Sequence, residues 1–314
     1  MYKSKSKSNK LLKMSVFAFI AIAASSCKLK EPTPDPTLLV NFYSATVGDK
    51  QVEFYAMSNY GSFHWNFDDG NTSTEKNPVH TYDEGGTYFV TLSVTGEGVT
   101  KEITKKISLA LSNLQMLAGD QTFPNGKKWK LSYYSGDRLG EAVEGFPVTG
   151  NNSTTALASG ILDQIDLGWA YEDEFLFKSD GSYQRIPKNG GSYGSSIYAT
   201  IKDLTLLKVG TQGFNAFCYA ACPAAEGAEY RFVEQEDLTI FSGIAMGNVT
   251  FKDVMTLSFT KDEFIGFLDF NKKCIITSLT PERMTLALFF TGVAELAPLN
   301  GATHALVLSF VPVN

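Results

Sequence analysis

Over short runs this chain places apolar residues at every second position, and Gly, Pro, Asp and Asn separate one run from the next. Successive side chains of an extended strand point to opposite faces, so a period of two predicts strands with one buried face. Tyr88, Val90, Leu92 and Val94 form the longest such row, with Phe89, Thr91, Ser93 and Thr95 on the opposite face. Phe63, Trp65 and Phe67 alternate as a shorter strand, which Asp68-Asp69-Gly70 ends because these residues accept turn dihedrals. Asn77-Pro78 and Asp83-Glu84-Gly85-Gly86 mark two further irregular segments. Val52, Phe54 and Ala56 predict an earlier strand, and the stretch from Ile103 to Leu109 a closing one. Lys105 interrupts that last alternation, which suits an edge strand or a bulge.

Long amphipathic helical patterns do not occur. Only Leu111, Leu114, Leu117 and Ala118, at three- and four-residue spacings, predict a short helix, within a connector over 111–126. From Trp129 onward β character returns in about a dozen segments. These are Trp129 to Tyr134, Asp173 to Lys178, Tyr183 to Ile186, Ile197 to Ile201, Phe214 to Tyr219 and Tyr230 to Val233. Leu238 to Phe241, Met255 to Thr260, Ile265 to Phe270, Cys274 to Leu279, Met284 to Phe290 and Ala305 to Val311 follow. Ser179-Asp180-Gly181-Ser182 predicts a hairpin turn, and Thr280-Pro281-Glu282-Arg283 a second, longer one. The fold class is therefore all-β, and the antiparallel connections over 127–314 fit either a β-sandwich or an up-and-down barrel.

Three spaced blocks in the first half carry a family resemblance. Trp65-x-Phe67-x-Asp69-Gly70, Asn77-Pro78-x-His80-x-Tyr82 and Gly86-x-Tyr88-x-Val90-Thr91-Leu92-x-Val94 closely resemble the PKD domain. That resemblance implies an immunoglobulin-like β-sandwich of cell-surface and secreted proteins over residues 38–110. Asp68 stands where the family usually has glycine, and Asp visits the left-handed region at low cost, so the turn is expected to survive. The opening Trp129-Lys130-Leu131, the hairpin around Ser179 to Ser182 and the late alternation more loosely resemble lipocalin-like or jelly-roll domains of Bacteroidetes lipoproteins.

The amino terminus adds a compartment. Five lysines and no acid occupy the first 26 residues, ahead of the apolar run Met14 to Ala24 and Ser25-Ser26 before Cys27. The run is too short for a mature membrane helix and reads as a signal peptide over 1–26. Small residues before a cysteine resemble a bacterial lipobox, which implies that Cys27 is lipidated and holds the protein to a membrane. Residues 27–37, rich in proline and charge, then read as an extended tether.

Without those five lysines, 22 basic residues face 33 acidic ones, a net charge of −11. This disfavours nucleic acid, whose binding rests on Lys and Arg. Exported chains permit disulfides, and Cys218-Tyr-Ala-Ala-Cys222 is spaced to close a small loop, with Cys274 left over. A zinc site has only that one cysteine pair and three histidines far off in sequence, so no metal is expected. Asp-Gly turns such as Asp68-Asp69-Gly70 need no calcium.

Candidate chemistry is sparse. No phosphate loop, nucleophile elbow or His-Glu-x-x-His helix occurs, and no cofactor is implied. Glu172 and Glu174, two apart on an expected strand and about 7 Å between Cα atoms, are compatible with a glycosidase pair, although a solvated edge face is the plainer reading. Trp169, Tyr171, Tyr193 and Tyr198 are the candidate ligand-binding platform, because flat rings bury the apolar faces of pyranoses. Trp129 and Trp65 are expected in the two cores and His80 as a structural hydrogen-bonding residue. The expectation is a non-catalytic outer-membrane lipoprotein whose first domain is a spacer and whose second binds a polysaccharide or another cell-envelope component. A divergent glycoside hydrolase or lyase and a lipocalin-like carrier of an apolar ligand are the alternatives. The lipoprotein resemblance also implies work beside an outer-membrane uptake system.

Overall fold

A computed structural model describes residues 38–133, 137–141 and 155–313. The expected signal peptide, Cys27 and the tether lie outside the described residues.

The first domain has seven strands: β1 (Asn41–Thr46), β2 (Gln51–Met57), β3 (Ser62–Asn66), β4 (Thr72–Ser73), β5 (Val79–Thr81), β6 (Gly86–Gly96) and β7 (Val99–Leu109). They pair as two antiparallel sheets, β1-β2-β5 and β4-β3-β6-β7. The alternation read from the sequence becomes the core, with Phe42, Val52, Phe54, Trp65, Val90 and Leu92 buried between the sheets. The Trp65 indole donates to the Glu75 carbonyl at 2.9 Å, which satisfies its one polar atom inside the core. Asp68 does adopt a positive φ of 66°, and its carboxylate accepts the Phe89 amide at 2.8 Å. Asp69 accepts from His80 at 2.6 Å, and the His80 ring stacks on Phe67 at 4.1 Å. Both acids of the turn are thus bound within the fold. Lys105 points inward from the edge strand β7 and donates to the Phe42 carbonyl on β1.

The connector forms helix α1 (Asn113–Ala118), opened by a capping box in which Ser112 and Gln115 bond reciprocally. Gln115 also donates to the Gly85 carbonyl of the first domain at 3.0 Å. On its other side Leu117 and Ala118 enter the core of the second domain.

That second domain contains β8 (Lys127–Leu131), β9 (Arg138–Glu141), β10 (Thr155–Ala156), β11 (Glu174–Phe177), β12 (Ser182–Ile186), β13 (Ser192–Ser195), β14 (Leu206–Val209), β15 (Phe217–Ala220), β16 (Ala228–Ser242), β17 (Gly247–Phe259), β18 (Cys274–Leu279), β19 (Met284–Phe290) and β20 (His304–Pro312). Eight of these, β8, β11, β12 and β16 to β20, pair each with the next, and β20 returns to β8 through Phe310↔Leu131 and Pro312↔Trp129. The sheet therefore closes as an up-and-down antiparallel barrel, which decides between the two architectures left open by the sequence. Trp129, Phe175, Phe177, Leu286, Leu306 and Phe310 fill its interior. Bulges between Val233 and Leu238 bend the long β16–β17 hairpin, whose far half buries Leu238, Ile240, Val249 and Phe251 against Phe289 and Val307.

Two insertions interrupt the meander. The first, 132–173, carries β9, β10, α2 (Ile161–Gln164) and a 3₁₀ turn at Gly168–Tyr171. Here β8 and β9 pair with the same edge of β20 but leave a break between them, and the Asp137 carboxylate fills part of it by accepting the Ser309 amide at 2.8 Å. The second, 187–227, carries α3 (Ser196–Ile201) and the small sheet β13-β15-β14. Two expected strands do not form. Ile197 to Ile201 is helical because the Ser195 hydroxyl caps the Tyr198 amide. Ile265 to Phe270 is irregular, touching β13 at a single bridge, Gly194↔Leu268. A Cβ at Gly194 would lie 2.7 Å from the Leu268 carbonyl oxygen, so only glycine permits this approach.

Candidate functional site

The four aromatic candidates do not share an exposed face. Tyr193 and Tyr198 are buried: Tyr193 packs edge-on against Phe267 at 4.8 Å, and Tyr198 against Phe270 at 4.8 Å. Tyr193 follows the inward register of β13, and Tyr198 lies on the inner side of α3, so periodicity places both among the core residues rather than on a binding loop. Trp169 is half-buried, set edge-on to Tyr219 at 5.7 Å and covered by the Lys208 ammonium 4.3 Å from its ring centre. Tyr171 is half-buried, and its hydroxyl accepts the Leu162 amide at 3.4 Å. An open sugar-stacking platform is absent from this arrangement.

Glu172 and Glu174 also differ from expectation. Glu172 closes the 3₁₀ turn instead of lying on a strand and accepts from Asn189 at 2.9 Å. Glu174 lies between Lys128 at 3.0 Å and Lys188 at 2.9 Å. Partial burial works against its ionisation, but the two ammonium groups prevail and hold the carboxyl below its ordinary range. A group kept ionised in this way is unsuited to general-acid work, which needs a proton near neutral pH.

The cysteines at 218 and 222 are free thiols, not a closed loop. Cys218 lies in β15, paired opposite Gly194 and Val209, while the Cys222 sulfur accepts from Arg185 at 3.6 Å. Burial pushes the Cys218 thiol up to about 11 and the Cys274 thiol up to about 12, so neither is a ready nucleophile. In a thiol titration of the unreduced protein, Cys218 and Cys274 should react only after unfolding, and the unfolded chain should release three thiols from these positions. Recovery of a single thiol would show that the pair had oxidised.

Polar groups that the sequence reading did not single out are gathered where β12 meets the second insertion. β12 pairs with β16 only at Ser182 and Tyr183, and beyond that point Arg185 reaches the second insertion and Glu263 after β17. Its Nε donates to Glu263 at 2.9 Å, Nη1 to Ser192 Oγ at 2.6 Å and the Cys222 carbonyl at 2.9 Å, and Nη2 to the Pro223 carbonyl at 2.9 Å. The guanidinium also lies over the Phe264 ring, 4.5 Å from its centre. Glu263 accepts the Ala225 amide at 2.6 Å as well. Nearby, Asp173 accepts the Lys188 amide at 3.0 Å and the Tyr219 hydroxyl at 2.8 Å. These buried charges fasten the insertion to the barrel wall. The signal for Arg185 was present, because it shares the inward face of its strand with Tyr183.

Outside this clamp an open groove of about 460 Å³ runs between the β11–β12 hairpin and residues 224–229. Ser182, Gln184, Lys178, Glu226 and Glu229 line it, so its walls present a hydroxyl, an amide, an ammonium and two carboxylates to solvent. A second pocket, lined by Leu139, Leu157, Ile161, Tyr193 and Phe214, has a free volume of about 10 Å³. That volume takes no more than one water. Among the described residues, side chains fill the barrel interior. Among the described residues no three His, Cys, Asp or Glu side chains converge as a metal site.

Residues 41–110 match the family model of the PKD domain, and this segment is a PKD domain. Collagenase ColA of Bacillus cereus is 45% identical over 67 residues, which cover 18% of this chain and 7% of that protein. The chain thus spans a small part of the length of this curated relative. The solved PKD1 domain of Vibrio anguillarum Epp is 30% identical and covers 24% of this chain and 95% of its own, with a TM-score of 0.22. A solved structure described under carbohydrate-binding modules of the β-sandwich superfamily covers 88% of this chain and 90% of its own at 13% identity. Its TM-score of 0.22 gives it no weight for fold or ligand.

Proposed function

We propose that this chain is a non-catalytic lipoprotein of the bacterial outer membrane, acylated at Cys27, whose PKD domain is a spacer and whose barrel binds polysaccharide. The 460 Å³ groove beside β12 carries the reading. Its hydroxyl, amide and charged walls match a ligand rich in hydroxyl groups, which is recognised by many directed hydrogen bonds. Of the groups weighed for catalysis, Glu174 is held ionised between two lysines, and burial raises the Cys218 thiol out of reach. The charged run, short apolar segment and small residues before Cys27 support export and acylation.

Affinity electrophoresis against a panel of soluble polysaccharides tests the groove. Wild-type protein should be retarded by at least one glycan, and Gln184→Ala combined with Glu226→Ala should lose most of that retardation while melting as wild type does. Absence of retardation on every glycan, with folded protein, would reject polysaccharide as the ligand. Failure of the protein to incorporate labelled palmitate at Cys27, with wild type and Cys27→Ser alike unlabelled, would separately reject the lipid anchor.

A further inference from the structure

The two outer faces of the PKD domain differ in chemistry. On the β6–β7 side the exposed row is hydroxylic and charged, with Thr91 bonded to Thr104 at 2.8 Å, Ser93 to Glu102 at 2.6 Å and Thr95 to Thr100 at 2.8 Å. On the β1–β2–β5 side the exposed face is richer in apolar side chains, interrupted by Asn41, Glu53 and the Gln51–Thr81 pair bonded at 3.2 Å. Along β1 and its flanks the outward positions are Leu39, Asn41, Tyr43, Ala45 and Val47, of which Leu39 is 61%, Tyr43 54% and Val47 50% exposed. Register places Met57 opposite Asn41 and Tyr55 opposite Tyr43, with the two tyrosine rings stacked at 4.6 Å. Val79 follows across β5, opposite Glu53. Glu53, the acid on this face, accepts the Tyr55 hydroxyl. Phe89, 57% exposed, is set among the hydroxylic row of the opposite sheet, whereas here Leu39, Tyr43, Tyr55, Met57 and Val79 cluster, and such a cluster marks a contact surface.

We infer that this face rests on the lipid bilayer, with the tyrosines at headgroup level. The inference depends on the anchored reading for its occupant. Residues 28–37 are all that separates Cys27 from the first described strand region, and ten extended residues reach about 35 Å at most. The described chain begins at Leu38, so the strip beginning at Leu39 adjoins the anchored segment in sequence and lies within that reach of it. Tyrosine and aliphatic side chains without a free charge suit the boundary between headgroups and acyl chains. Edge pairing with a second copy through β1 is opposed by Lys105, whose ammonium occupies the Phe42 carbonyl.

The test uses the acyl-free chain from Lys28 onward, which contains all described residues, in co-sedimentation with vesicles of phosphatidylethanolamine and phosphatidylglycerol. Wild type should sediment with the vesicles, and Tyr43→Ser with Met57→Ser and Val79→Ser should lower the bound fraction about tenfold, as expected for removing several partly buried apolar side chains. The substituted side chains are exposed, so the melting temperature should be unchanged. Wild type that stays in the supernatant, or binding that survives the three substitutions, overturns the inference. So does a concentration-dependent dimer of wild type that the substitutions abolish, which would assign the face to self-association. Because the acyl chain is absent throughout, failure here leaves the Cys27 reading to its own test.

Discussion

Arg185→Ala should destabilise the barrel by about 3–5 kcal/mol, the cost of removing one partner from a buried ion pair. For a domain of this size that is a fall of about 10 °C in its thermal transition. Two effects add. Glu263 is left as an uncompensated charge inside the wall, and the Cys222 and Pro223 carbonyls lose their donors where β12 and β16 are unpaired. Because the chain has two domains, a single melting temperature is not defined, and calorimetry resolving both transitions is the appropriate measurement. The transition of the PKD domain should stay in place while that of the barrel moves. Replacing both partners, Arg185→Met with Glu263→Leu, should cost less than Arg185→Ala alone, though the two orphaned carbonyls prevent full recovery. A barrel transition within about 1 kcal/mol of wild type in Arg185→Ala would mean that the guanidinium does not hold the insertion.

What the sequence disclosed, and what it hid, follows from the range of the forces involved. Strand alternation is local, so Tyr88 to Val94, the β11–β12 hairpin and the late strands are legible from spacing alone. Closure of the barrel depends on Phe310 meeting Leu131, far apart in sequence, and no local pattern encodes it. The aromatic platform failed for a related reason. Tyr193 and Tyr198 lie in a Gly- and Ser-rich segment that has the composition of a loop, yet Ser195 caps a helix there and the Leu268 backbone approaches Gly194, which together turn both rings inward. Glu172 and Glu174 illustrate the converse. Their spacing suited a paired site, but Glu172 caps a 3₁₀ turn instead of continuing the strand, and two lysines from β8 and the β12 loop claim Glu174. Inward placement of Arg185 was readable, and its partner Glu263 was not, since 78 residues separate them.

The barrel should be more stable at pH 5 than at pH 7.5, opposite to the common pattern in which carboxylates stabilise toward neutrality. Burial raises the Asp269 carboxyl to about 7, against stabilising contacts from the Thr291, Phe270 and Asn271 amides and the Ser195 side chain, and one of its oxygens has no hydrogen-bond partner. Burial also raises Asp173 to about 6, despite the Lys188 amide, Tyr219 and Arg185, and Asp137 to about 6, despite Ser309 and Arg283. In the unfolded chain each of these titrates near 3.9. Between that value and the folded one the native state binds more protons, so its stability falls as pH rises through the window and is lowest once all three are ionised. The opposing groups act lower. In the barrel Glu174 contributes stability above its unfolded value that is lost as pH falls further, and Asp69, held below its ordinary range, against partial burial, by His80 and Asn71, acts likewise on the PKD transition. Lys127, brought down to about 8 by burial, begins to act only above the window. Melting of the barrel between pH 4.5 and 7.5 should therefore decline across the whole range, because the unfolded carboxyls are already ionised above about pH 4. Asp269→Asn should reduce that decline, raising the barrel transition more at pH 7.5 than at pH 5, because Asp269 carries the largest of the three shifts. A melting temperature that climbs steadily to pH 7.5 in wild type would show that these carboxyls are hydrated in the native state, and that the clamp region is more open than its hydrogen bonds imply.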